Sequence, residues 1–373
     1  MASIIIGGDF LPTYINEKKF ENKVIEKIFS EDLLLLLKRS NFRIVNLEGP
    51  CTDSEKKIPK SGPHIKASTK SFKGIKELDI NLVGLANNHI MDYGEEGLYS
   101  TIELCRKYKI DYLGAGKNLQ DAMKMYIKNI EGVRVGVVAF AEHEFSIAKK
   151  ESIGACDFDD LDTPDYISEL KKQVDYLIVL YHGGKEKYRY PSPVLRKRCR
   201  KIVEKGGDLV LVQHTHCIGC KEEYNGAVIV YGQGNMLLSL DEEDDMNNNG
   251  LLVEIDLYTR NIIFHVVMRD GIGVRLATKD ESIKILEDFY NRSYEILDDK
   301  FIETNFDKFC EEMLNNYQKQ SLGRVASMLN KLKLPLSMDF FYKESQCLNI
   351  LNNLRCESHR EVYIRGLENK IGI

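Results

Sequence analysis

Five places in this chain put metal-binding side chains at or near the ends of apolar runs: Asp9 after Gly7-Gly8, Asn46-Leu47-Glu48, Asn87-Asn88-His89, His182, and His214-Thr215-His216. Divalent cations in hydrolytic sites take imidazole nitrogen and carboxylate or carbonyl oxygen. Two carboxylates, one carboxamide and three or four histidines are therefore of the right types. Read together, Asp9 and His216 would bind one ion, Glu48 would bridge two, and Asn88, His182 and His214 would bind the second. A water acidified by the ions would be a nucleophile at neutral pH. His89 directly follows a proposed ligand. It could act as general acid for the leaving group or bind phosphate as a cation, with Asp92 orienting its ring.

Each residue alone has a plainer reading. Asp9 could be a turn residue or a helix cap, Glu48 a solvated turn residue before Gly49-Pro50, and Asn87-Asn88 turn formers. His182 could be a core histidine. His214 and His216 say more, because residues i and i+2 of a strand share a face and both rings could reach one centre. The joint pattern says most: of eight histidines, His89, His182, His214 and His216 follow buried runs, with His143 a further candidate. Cys217 and Cys220 form a lone Cys-x-x-C with no second pair, so no closed zinc site follows. Gly232-Gln233-Gly234-Asn235 lacks the third glycine and following helix of a dinucleotide fingerprint, but Asn235 could support the site from behind. Lys60 and His64, in a polar segment, could touch an anionic substrate or simply belong to a solvated loop. The acidic run 241–245 reads as a solvated loop before a weak calcium site.

These residues need strands that end together. Ser3 to Ile6, Arg43 to Leu47, Ile80 to Leu85, Tyr176 to Tyr181 and Leu209 to Val212 are apolar runs of strand length. Between them lie helices: one capped at Ser30 with Lys38-Arg39 in its last turn, then Ser68 to Leu78, Glu95 to Lys107, one from Thr163-Pro164, and one from Ser192-Pro193 to Gly206-Gly207. Residues 51–66 read as a loop over the site. Tyr126 to Ile130 with Val133 to Ala139, and Glu222 to Tyr224 with Ala227 to Val230, read as hairpins about Glu131-Gly132 and Asn225-Gly226. Asp241 to Asn249 reads as a mobile loop, and Leu251 to Leu257 and Ile262 to Val267 as closing strands. From about residue 279 the period turns helical: Ile283, Leu286, Tyr290, Tyr294 and Leu297 make one stripe, and Phe306, Phe309, Met313 and Tyr317 another. Val325, Leu329 and Leu332 precede Leu334-Pro335, and Cys347, Leu348, Leu351 and Leu354 follow. Strand ends in layered α/β proteins are where ligands bind.

Composition narrows the class. The chain has 373 residues, 43% of them hydrophobic, and a formal net charge of −5. It has no long Lys/Arg block, which argues against nucleic acid as a partner. No apolar run approaches the roughly 18 residues of a membrane span. The chain opens Met-Ala-Ser-Ile-Ile-Ile with no basic segment before it, so no signal peptide is expected. Nine scattered cysteines suit reduced thiols, and a cytoplasmic location is expected.

As a set, certain pieces resemble the capsule-synthesis CapA family, also called the poly-γ-glutamate synthesis PgsA group, which is similar to the calcineurin-like metallophosphoesterases. They are Gly8-Asp9-Phe10, Asn46-Leu47-Glu48-Gly49-Pro50 with Thr52-Asp53, Ala86-Asn87-Asn88-His89 through Asp92-Tyr93-Gly94, and Leu113-Gly114-Ala115-Gly116-Lys117-Asn118. After them come His182-Gly183-Gly184 with Glu186, Tyr190 and Pro191, then His214-Thr215-His216 and Gly234-Asn235. The likeness covers about residues 3 to 270. It implies a four-layer α/β/β/α metallophosphoesterase-like sandwich, here as domain 1–275, with a helical appendage, 276–373, outside the shared core. Leu11 stands where the superfamily has a histidine two residues after the aspartate, and Glu48 where it has aspartate. Both are typical of the CapA branch. Gly183 replaces the usual Trp, and Val212-Gln213 the usual Gly-His.

The leading expectation is a metal-dependent phosphoesterase in surface-polymer or related biosynthesis. It would use one or two divalent ions (Mn, Zn or Fe) on an anionic or sugar-linked substrate. Two alternatives stay open: a non-catalytic accessory subunit of a polymer-synthesis or export complex, docking through the appendage, and an amide or peptide hydrolase using the same activated water.

Overall fold

The computed structural model describes residues 2–238, 248–322, 338 and 341–372. The acidic run 241–245 and the positions Val325, Leu329, Leu332, Leu334 and Pro335 lie outside the described residues.

The apolar runs form two sheets. In the first, β1 (Ser3–Leu11), β2 (Phe42–Leu47), β3 (Leu82–Gly84) and β4 (Asp111–Leu113) run parallel in that order. On its other side β1 pairs antiparallel with β14 (Asn249–Asp256), followed by β15 (Ile262–Asp270) and β16 (Gly273–Leu276). The end of β1 also pairs parallel with β13 (Asn235–Leu238), aligning Asp9 with Asn235. The second sheet has the order β11 (Ile218–Tyr224), β12 (Ala227–Gln233), β10 (Leu209–Gln213), β9 (Tyr176–His182), β7 (Val133–Ala141) and β6 (Tyr126–Ile130). Its four middle strands are parallel. β5 (Ala115–Gly116) and β8 (Gly154–Ala155) form a small separate pair.

Strand alternation sorts the side chains into three cores and four layers. Ile4, Ile6, Ile44 and Leu82 of the first sheet meet Val137, Ile178, Leu180 and Leu211 of the second. On the outer face of the first sheet, Ile5, Val45 and Val83 pack against α1 (Glu17–Glu21), α2 (Glu31–Arg39), α3 (Phe72–Glu77) and α4 (Gly94–Tyr108) through Phe20, Leu33, Phe72 and Leu98. On the outer face of the second, Val138, Leu177 and Val179 pack with the short α5 (Leu119–Ala122), α6 (Asp162–Lys171) and α7 (Pro193–Glu204) through Ala122, Ile167 and Ile202. These layers are thus the α/β/β/α sandwich that the family resemblance implies.

Local details differ from the sequence reading in instructive ways. Ser192 caps α7 as expected, accepting the Leu195 N–H at 3.1 Å, but Ser30 turns its hydroxyl to Asp32, whose carboxylate takes the Leu33 N–H. The helix expected over Ser68 to Leu78 is a short 3-10 turn, Thr69–Ser71, followed by α3. β1 does not stop before Asp9. It runs on to Leu11 with an irregular register around Asp9. Gly8 makes this possible: a Cβ there would stand 2.0 Å from the Gly234 carbonyl oxygen.

The first compact unit ends at Ile302, not at 275, because α8 (Lys279–Glu295) belongs to it. Phe289 is fully buried among β-sheet side chains, Arg292 donates to the Gly219 carbonyl at 2.8 Å, and Ser293 accepts the Lys221 N–H at 2.8 Å. The expected stripe is therefore off by part of a turn: Ile283, Tyr290, Tyr294 and Leu297 are exposed, while Ile285, Leu286 and Phe289 pack. The second unit, 303–373, holds most of α9 (Asp299–Ser321), with α10 (Glu344–Arg355) and α11 (Glu357–Ile371) meeting at Cys356.

Candidate metal centre

Both sheets end their parallel strands on one edge, and the polar clusters converge there. Asp9 comes from β1, Glu48 from the residue after β2, Asn88 and His89 from the turn after β3, His182 from the end of β9, and His214 and His216 from the link between β10 and β11.

Glu48 is fully buried and central. Its Oε1 lies 3.5 Å from His182 Nε2 and 3.7 Å from His216 Nε2. Neither of its oxygens has a hydrogen-bond partner, and neither does His214 Nδ1. One ligand atom each of Glu48, His214 and His216 fits within 4.8 Å of the others. The His182 and His214 ring centroids are 4.8 Å apart. Buried polar atoms without partners are rare in native proteins. Here they are of the types that bind divalent cations and belong to residues whose ligand atoms gather within 4.8 Å, so the residues fit such an ion.

Asp9 is equally buried but well partnered. Its Oδ1 accepts from Asn46 Nδ2 at 2.7 Å and its Oδ2 from the His214 backbone N–H at 2.9 Å. Oδ2 also lies 3.4 Å from His216 Nδ1, and Oδ1 3.8 Å from His182 Nδ1. His216 Nδ1 donates to Asn235 Oδ1 at 2.9 Å. Asn46 Nδ2 approaches His182 Nδ1 at 3.2 Å, and His182 Nε2 stands 3.0 Å from Asn88 Oδ1.

The electrostatics follow from burial and charge. Burial, then the Asp9 charge, holds Glu48 well above the usual carboxylate range. Burial also acts to raise Asp9, but His216, His182 and Asn46 outweigh it and bring the carboxyl down to about 2. Burial and the neighbouring imidazoles push His182 and His214 down. For His216 burial is opposed by Glu48 and Asp9, which carry it up to about 10.

His214 and His216 reach this centre by a route the strand argument missed. β10 stops at Gln213, and both histidines are left-handed, with φ of 85° and 54°. Such backbone is strained for non-glycine residues and concentrates at functional sites. The two rings end 6.0 Å apart between centroids and tilted by 50°, and a nitrogen of each still reaches the Glu48 carboxylate group.

Beside the centre, His89 Nδ1 lies 2.8 Å from Asp92 Oδ2, the expected orienting contact. Asp92 also accepts the Ile65 N–H at 2.8 Å and pairs with Lys60. The Lys60 side chain is 3% exposed, and its Nζ lies 3.1 Å from His89 Nδ1. Lys60 is therefore a buried partner of Asp92, not a solvated loop residue. His64 stays out of the centre: its Nε2 meets the Ile58 carbonyl at 2.7 Å within the loop. His143 also stays out, paired with Asp157 at 3.1 Å and largely exposed. Cys217 and Cys220 are buried packing residues, and none of the nine cysteines is in a disulfide. Two polar contacts went unread in the sequence. Asn46 bridges Asp9 and His182, and Glu144 accepts from Asn88 Nδ2 at 3.2 Å. Asn46 stood in a cluster already singled out, whereas Glu144 sits in an irregular segment without pattern.

Residues 3–239 match the family described as bacterial capsule synthesis protein PGA_cap. The chain is 30% identical to the PGA biosynthesis protein CapA of Bacillus subtilis over 64% of its own length and 63% of that protein. It is 30% identical to the capsule biosynthesis protein CapA of Bacillus anthracis over 54% of its length and 51% of that protein. A probable polyglutamine synthesis accessory protein of Mycobacterium tuberculosis is 24% identical over 52% of this chain and 54% of that one. The chain thus spans between half and two thirds of the length of these relatives. Among the described residues, no helix is long and apolar enough to cross a membrane.

Proposed function

Because this chain belongs to the bacterial capsule synthesis protein family, we propose that it is a divalent-metal-dependent hydrolase of the phosphoester type serving capsule or poly-γ-glutamate synthesis. The observation that carries the reading is the set of buried, unpartnered ligand atoms, Glu48 Oε1 and Oε2 with His214 Nδ1, at the meeting edge of two sheets. Glu48, Asn88, His182, His214 and His216 would hold the cation. When bound, it supplies positive charge to the oxygens of a transferring phosphoryl group and acidifies a water.

The chain's own groups do the rest. His89 Nδ1 is tied to Asp92, which leaves Nε2 as the nitrogen that gives a proton to the departing ester oxygen as the phosphorus–oxygen bond breaks. Lys60 and the Ile65 N–H fix Asp92, so the ring is held by a rigid shell. The substrate is an anionic or sugar-linked intermediate, and nine thiols without a disulfide support a reducing, cytoplasmic setting.

The test is turnover of p-nitrophenyl phosphate diesters and monoesters by Mn²⁺-loaded protein, run beside a γ-glutamyl anilide. His89→Ala should lower turnover by about 10²–10⁴-fold, and His214→Ala should abolish it. Full activity in both variants would defeat the assignment, and turnover of the anilide alone would favour amide hydrolysis. One specific observation favours a second reading, an accessory subunit: the helical unit 303–373 lies outside the matched residues. Metal-loaded protein with no turnover but stable association with a polymer synthase would decide for it.

A further inference from the structure

Resting on the metal-dependent reading above, we infer that the centre takes one cation per chain, with Asp9 as an outer carboxylate that orients the histidines and not as a ligand. An imidazole offers two nitrogens on different sides of its ring. Glu48 addresses the Nε2 of both His182 and His216, at 3.5 and 3.7 Å. Asp9 addresses the Nδ1 of the same two rings, at 3.8 and 3.4 Å. The two carboxylates therefore stand at opposite ends of one pair of imidazoles. An ion that takes His216 through Nε2 lies on the Glu48 side, with the ring between it and Asp9. An ion that took His216 through Nδ1 would displace Asn235 Oδ1 from its 2.9 Å contact.

Partner counting agrees. The Asp9 oxygens already receive Asn46 Nδ2 and the His214 N–H. Leu11, two residues on, is fully buried hydrocarbon and adds no donor. Within the centre the atoms without partners are both Glu48 oxygens and His214 Nδ1, and the ligand atoms that gather within 4.8 Å of one another belong to Glu48, His214 and His216, not to Asp9. Five donors collect there: a Glu48 oxygen, Asn88 Oδ1, His182 Nε2, a ring nitrogen of His214 and His216 Nε2. That is a sufficient nitrogen and oxygen set for one Mn, Fe or Zn ion. Binding at His216 Nε2 leaves the ring proton on Nδ1, which faces Asn235 Oδ1 at 2.9 Å and Asp9 Oδ2 at 3.4 Å. Carboxylates behind metal-bound histidines act in this way, and their loss weakens affinity by about 10–100-fold without removing a ligand. This departs from the expectation that Asp9 holds an ion of its own.

The experiment is a titration of the metal-free full chain with Mn²⁺, followed by calorimetry, elemental analysis and electron paramagnetic resonance. One Mn²⁺ per chain and the six-line signal of an isolated ion are expected. Asp9→Asn should still bind one ion, about 10–100-fold more weakly, and Glu48→Gln should lose tight binding. Two ions per chain, or an exchange-coupled pair signal, would overturn the inference and leave the proposed hydrolase standing. No bound Mn²⁺ at all would overturn both. If Asp9→Asn does not fold, the wild-type stoichiometry and line shape decide alone.

Discussion

Glu48 and Asp92 are both fully buried carboxylates, and their surroundings set opposite expectations for them. Glu48 has no hydrogen-bond donor and a second carboxylate, Asp9, nearby. Glu48 also faces the His216 imidazole at 3.7 Å, so Glu48→Gln should leave the metal-free protein folded, with a Tm close to that of the wild type. Mn²⁺ should raise the Tm of the wild type through mass action, by about 2.7 kcal/mol at a hundredfold excess over Kd, and should leave Glu48→Gln unmoved. Asp92 is the reverse case, a buried charge with Lys60, His89 and the Ile65 N–H around it. Asp92→Ala strands the Lys60 ammonium and should destabilise by about 3–5 kcal/mol in chemical denaturation. Most of these residues were legible as letters, because ligand types at the ends of apolar runs are rare. What Lys60 touches was not legible, since a lysine in a polar segment carries no periodic signal and its partner is 32 positions away.

At the scale of elements, the approach of β13 to β1 sets the back of the centre. Gly8→Val would push a side chain into the Gly234 carbonyl, given the 2.0 Å clearance at Cβ. Lost Mn²⁺ affinity together with a lower Tm is expected, because Asn235 and Asp9 move apart. The start of α8 offers a pH test. Arg275, then the Thr278 N–H and hydroxyl, hold the Glu281 carboxyl down at about 2, against 4.5 for a free glutamate. The folded state gains from this charge above pH 4.5 and loses the gain as pH falls toward about 2. Acid unfolding followed by circular dichroism should show wild type more stable than Glu281→Gln near pH 6, with the gap closing by pH 2–3. Strand and helix positions were readable here because alternation and the 3.6-residue period survive in sequence. The face of α8 was not, since Tyr290 and Phe289 are both aromatic and only the neighbouring strands decide which is buried.

For the whole molecule, the division at residue 302 matters more than the one expected at 275. A chain ending at 302 should unfold cooperatively near the full-length Tm. A chain ending at 275 loses the buried Phe289, worth about 3–5 kcal/mol by analogy with large core truncations, and should melt well below it. Differential scanning calorimetry on the two truncations distinguishes them. The four-layer order was foreseeable from alternating strand and helix signals together with the family likeness. The extent of the unit was not, because α8 is amphipathic enough to read as a separate appendage.

The paired left-handed turns at His214 and His216 also bear on how such centres can be moved or redesigned. On a straight strand, two histidines one residue apart would stand side by side about 6.6 Å apart along the chain, presenting the same ring edge. Here the kinked path brings one ring nitrogen of each histidine within 4.8 Å of the other and of a Glu48 oxygen. Grafting the tripeptide onto a flat β-surface would transplant its spelling and lose its grip, whereas carrying the whole β10–β11 corner would keep both.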